Sequence, residues 1–116
     1  MGEKYNGWDN YETWLVALWI DNEPGSYDYR QELAQSAYDD AEPDSYFTRE
    51  ERATLDLAES LKDWIENDNP LADSASLYSD LISGALGSVN WHEIAENYLE
   101  DVDKDTELEQ EEPEND

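Results

Sequence analysis

The sequence predicts an all-α fold, a small single-domain bundle of about five helices over residues 1–103 with an acidic, flexible C-terminal tail over 104–116. Three observations carry that expectation. Apolar residues recur at intervals of three and four in five segments, most of them opened by a residue able to cap a helix. No run of β-branched residues alternating with polar ones occurs anywhere. A chain of 116 residues can bury one core, whereas two would each be too small.

The first predicted helix runs from Asn10 to Asp21. Asn10 can accept from the free amides, Glu12 sits in the positive first turn, and Trp14, Leu15, Leu18 and Trp19 follow at helical spacing. Val16, Ala17 and Ile20 make it apolar nearly all round, which predicts a central position in the core. Pro24-Gly25 reads as a break, after which Ser26 caps a second helix to about Asp40 with Leu33, Ala34, Ala37 and Tyr38 facing inward. Glu42-Pro43-Asp44 marks a loop. Thr48 with Glu51 forms a capping box for a third helix to about Asn67, with Leu57, Ala58, Leu61, Trp64 and Ile65 expected to be buried. A fourth helix, roughly Ser74 to Leu86, carries Leu77, Tyr78, Leu81, Ile82, Ala85 and Leu86 before Gly87 stops it. Asn90 with Glu93 repeats the capping box, and Trp91, Ile94, Ala95, Tyr98, Leu99 and Val102 define a fifth helix.

Charge is the other dominant feature: 32 Asp and Glu stand against 6 Lys and Arg, a formal net charge of −26. Such a balance is the usual mark of disorder, but disordered chains are poor in aromatic residues, and this one has five Trp, eight Tyr and one Phe. Direct binding to nucleic acid is excluded, because phosphate attraction needs clustered cations, and anionic membrane surfaces are excluded on the same ground. No cysteine is present, which removes disulfides, thiolate nucleophiles and zinc–thiolate sites and fits a reducing compartment. Residues 1–10 lack the basic start and apolar run of a signal peptide, Asn6 stands where a myristoylation signal wants Ser or Thr, and Trp14 to Ile20 is too short to span a bilayer. These features predict a soluble protein of the cytoplasm.

Catalysis has little to work with. His92 is the single histidine, and it reads as a surface residue near a helix start; no serine lies in a triad-like setting. Among 32 carboxylates, any glycosidase-like pair is uninformative. Asp101, Asp103, Asp105 and Glu112 fall at positions 1, 3, 5 and 12 of a calcium loop, but Thr106 occupies the position that needs Gly, and such a match arises easily in an acidic stretch. No enzyme activity, cofactor or metal is expected.

The charge pattern is more informative. Residues three or four apart on a helix are neighbours. The third helix thereby aligns Asp56, Glu59, Asp63 and Glu66; the fifth aligns Glu93, Glu96, Glu100 and Asp103, with Asp101 beside them; the second adds Asp28, Glu32 and Asp39 more loosely. Only Arg30, Arg49, Arg52 and Lys62 lie near enough in sequence to offset them. From Glu93 to Asp116 twelve acidic residues face Lys104 alone, a net of −11, so −15 falls on residues 1–92 and the acidity is not confined to the tail. Like charges at this spacing cost stability, which suggests a use for the field. Duplex DNA carries one charge per about 1.7 Å, so 26 charges match about 44 Å, or about 13 base pairs. A protein groove lined with Lys and Arg for DNA would meet an equivalent field here, and exposed Tyr and Trp of the amino-terminal part could anchor the contact.

In length, charge, lack of cysteine and the acidic helix Asn90-Trp-His-Glu-Ile-Ala-Glu-Asn-Tyr-Leu-Glu-Asp-Val-Asp, the chain resembles the acidic DNA-mimic antirestriction proteins of phages and plasmids, the Ocr and ArdA types, and is similar in character to acidic anti-CRISPR proteins. The likeness is one of composition and design over the whole chain. The blocks Asn10-Tyr-Glu-Thr-Trp-Leu-Val-Ala-Leu-Trp-Ile-Asp-Asn and Val89-Asn-Trp-His-Glu-Ile-Ala also look like stretches of small phage and plasmid proteins. The resemblance implies a helical decoy, dimeric in that family, that occupies the DNA site of a type I restriction-modification enzyme or, next, a CRISPR effector. An acidic surface that keeps an ordinary domain soluble in molar salt is the alternative that needs no target.

Overall fold

The computed structural model describes residues 4–104, and over them the chain is helical: α1 (Tyr11–Asn22), α2 (Pro24–Asp40), α3 (Arg49–Asn67), α4 (Leu77–Gly87) and α5 (Trp91–Leu99). The tail expected over 104–116 lies, Lys104 excepted, outside the described residues, as do Asp105 and Glu112 of the calcium-like spacing.

Short polar residues set most of the helix starts. The Asn10 side chain accepts the Thr13 amide at α1. At α3 the Thr48 hydroxyl accepts the Glu51 amide while the Glu51 carboxylate accepts the Thr48 amide, the reciprocal box the sequence predicts. Two boundaries move. Pro24-Gly25 opens α2 and does not merely end α1: a proline in the first turn lacks only an N–H that has no helical partner there, so Glu23 alone joins the two helices and Ser26 lies inside α2. α4 begins at Leu77, later than predicted, because Ser76 and Ser79 cap each other and the buried Ser79 hydroxyl donates to the Ser74 carbonyl.

The core is formed by Ala34 and Tyr38 of α2, Ala53, Leu57 and Leu61 of α3, Ile94, Ala95, Tyr98 and Leu99 of α5, and Ile20 of α1, closed by Val89 and Trp91. α3 packs along both α2 and α5, and α1 lies chiefly on α2. This corrects the expectation for α1. It contributes Thr13, Ala17 and Ile20 to the interior but leaves Leu18 and Trp19 exposed, Trp19 by 64%, so it is a flank of the bundle and not its centre. α4 departs further: of the apolar residues the sequence places on it only Leu86 packs against the core, and Leu77, Tyr78 and Leu81 face outward.

A second set of contacts joins the ends of α1 and α5. The Thr13 hydroxyl donates to the Asn10 side-chain oxygen (2.6 Å) and accepts the Asn90 amide (2.8 Å). The Asn10 side chain donates to the Ser88 carbonyl (2.8 Å), and the Asn90 side chain donates to Asp9 (3.3 Å). Ahead of α1, Tyr5 and Trp8 pair across a tight turn in which Asn6 and Gly7 have positive φ (50° and 91°), the dihedral sign of a hairpin turn. Tyr5 then packs edge-on against Tyr11 and Trp14.

Candidate functional site

On α3, the buried positions Ala53, Leu57 and Leu61 define the inward side, and Asp56, Glu59, Asp63 and Glu66 fall on the opposite side of the helix. Three of these are exposed and Glu66 is half-buried. None of the four carboxylates accepts a hydrogen bond or forms an ion pair among the described residues. From Asp56 to Glu66 is ten residue steps, about 15 Å of axis, or about one charge per 5 Å, somewhat sparser than the 3.4 Å of one DNA strand. On α2, Asp28, Glu32 and Asp39 likewise sit opposite Arg30, Ala34 and Tyr38, with Gln35 between them donating to the Asp39 carboxylate (3.1 Å). Like-charged rows that point away from a shared core are ridges on separate sides of it; the three rows are not one continuous face.

The α5 row is the one the structure revises. Glu96 and Glu100 are exposed, Glu100 as the residue that ends the helix. Glu93 does not close a capping box: its carboxylate accepts the Asp9 amide (2.9 Å) and lies 3.9 Å from the Lys4 ammonium, so it ties down the amino-terminal turn. Asn90 caps the helix alone, accepting the Glu93 amide. Because α5 ends at Leu99, Asp101 and Asp103 leave the helical row and turn toward α2. Asp101 lies 3.4 Å from Arg30, and the Asp103 backbone exchanges two hydrogen bonds with the Gln35 side chain (2.9 and 3.1 Å).

Carboxylates of two helices do meet in a groove between α3 and α5, about 420 Å³, lined by Glu50, Glu51, Thr54, His92, Glu96, Leu99, Glu100 and Lys104. Glu50 and Glu51 join the acidic surface here, although their place in the first turn of α3 marks them from sequence only as helix-start residues. His92 is exposed, with Nδ1 3.7 Å from Glu96, and Lys104 contacts Glu50 at 2.6 Å. No group of three His, Asp or Glu among the described residues is arranged to hold a metal ion. No helix among them is long and apolar enough to cross a membrane.

The cations do little to offset the rows. Arg30 is buried between the rings of Tyr27 (4.7 Å) and Tyr98 (4.0 Å) and lies 3.3 Å from Asp21 of α1. Burial there pushes the Tyr98 phenol well above its ordinary range. Arg49 donates to the Tyr38 and Asp39 carbonyls (2.9 and 3.3 Å) at the C-terminal end of α2, and Arg52 pairs with Asp44 (3.1 Å) in the loop before α3. Lys62, exposed on α3, forms no ion pair among the described residues.

Residues 1–104 match the model of a family of unknown function, DUF7249, and the chain belongs to that family. No curated protein and no solved structure matches it.

Proposed function

We propose that the protein is a DNA-mimic inhibitor, an interaction protein without turnover that occupies the basic DNA-binding groove of a host defence enzyme in the cytoplasm, a type I restriction-modification enzyme first and a CRISPR effector next. The observation that carries this reading is the α3 row: four carboxylates at regular spacing on the outward side of one helix, beside which Lys62 is the one cation of that helix side and forms no ion pair among the described residues. A groove lined with Lys and Arg gains Coulomb attraction and counterion release from such a row, as it does from phosphates. Glu96 and Glu100 extend the field along the α3–α5 groove, where Lys104 offsets Glu50, and exposed Tyr5, Tyr11 and Trp19 offer aromatic anchors.

The distribution of acid favours a directed use over general salt adaptation. A surface made acidic only for solubility would be acidic on every exposed helix, yet exposed α4 carries Asp80 alone. The test is DNA binding by a purified type I enzyme and by a CRISPR effector at about 50 mM salt, with and without the protein. Inhibition that weakens steeply as salt rises is expected. The variant Asp56→Asn/Glu59→Gln/Asp63→Asn/Glu66→Gln should fold and inhibit at least tenfold less. Absence of inhibition by the wild type at low salt overturns the proposal, and unfolding of the free protein at low salt would support salt adaptation in its place.

A further inference from the structure

α4 is built unlike the rest of the molecule. Leu77, Tyr78 and Leu81 are 66%, 67% and 61% exposed, and their spacing places them on one side of the helix, opposite the buried Ser79. The three expose on the order of 400 Å² of apolar surface, within the range in which a contiguous patch marks an interaction site. The acid is also withheld there. The stretch from Pro70 to Val89 contains no cation and only Asp73 and Asp80, so −24 of the net −26 falls outside those 20 residues.

We infer that α4 is the contact between two copies of this chain, pairing antiparallel with the α4 of its partner across a twofold axis. Three features select a second copy over other occupants. A cationic partner would find little charge to meet on α4, while the carboxylate rows lie elsewhere. The segment 105–116 has Leu108 as its only large apolar residue and is otherwise mostly acidic, so it does not suit an apolar face. Two chains of net charge −26 repel wherever their rows meet, and α4 is where they can approach with few facing carboxylates.

The order of residues along α4 is self-complementary. Its first half presents the large Leu77, Tyr78 and Leu81; its second half presents Gly84 and Ala85. Antiparallel pairing lays the large half of one copy on the small half of the other, as an isologous contact requires. The fold of the single chain gives no reason for Gly84. A Cβ built there meets nothing within 4 Å, and glycine in a helix interior costs about 0.5–1 kcal/mol relative to alanine. Close approach of a second helix supplies the reason. Complete covering of the three large side chains in two copies buries at most about 800 Å², and Ile82, Ala85 and the flanking serines bring the contact to about 1,000 Å², the lower limit for a specific interface and the size of a weak, concentration-dependent one.

The inference does not depend on DNA mimicry, and a different measurement tests it. Sedimentation equilibrium of the full chain at about 100 μM should give twice the 13.4 kDa chain mass, with association strengthened by added NaCl, the reverse of the salt dependence expected for a basic target. Leu81→Glu should shift the chain to monomer at unchanged helical circular dichroism. Gly84→Gln replaces glycine by a better helix former in open space, so the single chain should be no less stable while dimerisation weakens at least tenfold. Tyr46→Glu, in the exposed loop before α3, should leave the dimer intact. A 13.4 kDa species throughout, even in 0.5 M NaCl, overturns the inference, as does a dimer that survives both α4 substitutions or one that Tyr46→Glu dissociates as readily.

Discussion

Thr13 offers the sharpest test of how the two ends of the chain are joined. Its side chain is 0% exposed, its hydroxyl accepts the Asn90 amide at 2.8 Å, and the same hydroxyl donates to Asn10 at 2.6 Å. Thr13→Val keeps the shape and removes both bonds. The Asn90 N–H is left without an acceptor in a part-buried site, a cost of about 1–3 kcal/mol. The Asn10 oxygen keeps the Thr13 amide as a donor, so its loss is the smaller, about 0.5–1.5 kcal/mol. The added methyl returns roughly 0.8 kcal/mol of burial. The net is a destabilisation of about 2 kcal/mol, which for a domain of this size lowers Tm by about 8–16 °C. Thr13→Ser keeps the hydroxyl and loses a buried methyl, so it should cost only about 1 kcal/mol. Urea denaturation followed by tryptophan fluorescence measures both, and hydrogen exchange at Asn90 should accelerate in the valine variant alone. A valine variant within about 0.5 kcal/mol of wild type, or one less damaging than serine, would refute the account of Thr13 as the hydrogen-bonded joint between α1 and α5.

Three further outcomes follow from the same structure. Arg30→Met removes two ring contacts and the ion pairs to Asp21 and Asp101, and should cost about 2 kcal/mol in urea denaturation; Arg30→Lys should recover less than half, since an ammonium lacks the planar face that lies between Tyr27 and Tyr98. Gly7→Ala meets no atom within 4 Å but forces a side chain onto φ +91°, so it should cost about 1 kcal/mol by backbone strain alone, read as a lower thermal midpoint. Asp44 accepts the Tyr46 and Phe47 amides (both 2.8 Å), bonds that hold its carboxyl below the ordinary 3.8, with Arg52 adding to the effect. A depressed folded value means stabilisation that is present above 3.8 and lost as pH falls through the folded value, so the stability gap between wild type and Asp44→Ala should be full at pH 7 and shrink below pH 3.8. A gap that stays constant from pH 7 to pH 2.5 would contradict it.

Local chemistry was legible in the sequence where it stays local. Thr48 and Glu51 lie three residues apart, and their bonds form at that range, so the start of α3 is where the sequence places it. Pro24 carries two local meanings, helix stop and first-turn residue, and only the packing of α2 on α1 selects the second. Glu93 has a local partner in Asn90, but the Asp9 amide, 84 residues away in sequence, takes its carboxylate. The same distinction governs α4. Its apolar spacing predicts a helix with one apolar side and says nothing of what covers that side; among the described residues nothing covers Leu77, Tyr78 and Leu81. For the carboxylates, the phase of each row about its own helix follows from spacing, whereas the division into separate ridges depends on how three helices share a core.

The placement of the cations bears on why the rows are left uncompensated. A chain with six Lys and Arg could have set each beside a row and eased its internal repulsion at a gain of about 0.2–0.5 kcal/mol per pair. Lys62 alone stands beside a row, and the three arginines occupy joints between elements: Arg30 among α1, α2 and the turn after α5, Arg49 reaching from the first residue of α3 to the end of α2, Arg52 reaching from α3 to Asp44 in the loop that precedes it. Each lies over an aromatic ring, Arg30 over two, and Lys104 lies 5.4 Å from the Tyr38 ring. At such joints a guanidinium supplies directed donors and a flat face that carboxylates cannot supply, so the cations serve where their geometry is required and the rows keep their charge. Replacing Arg49 by Gln should therefore weaken the fold, by loosening the end of α2, more than it changes the binding of a basic partner to the α3 row.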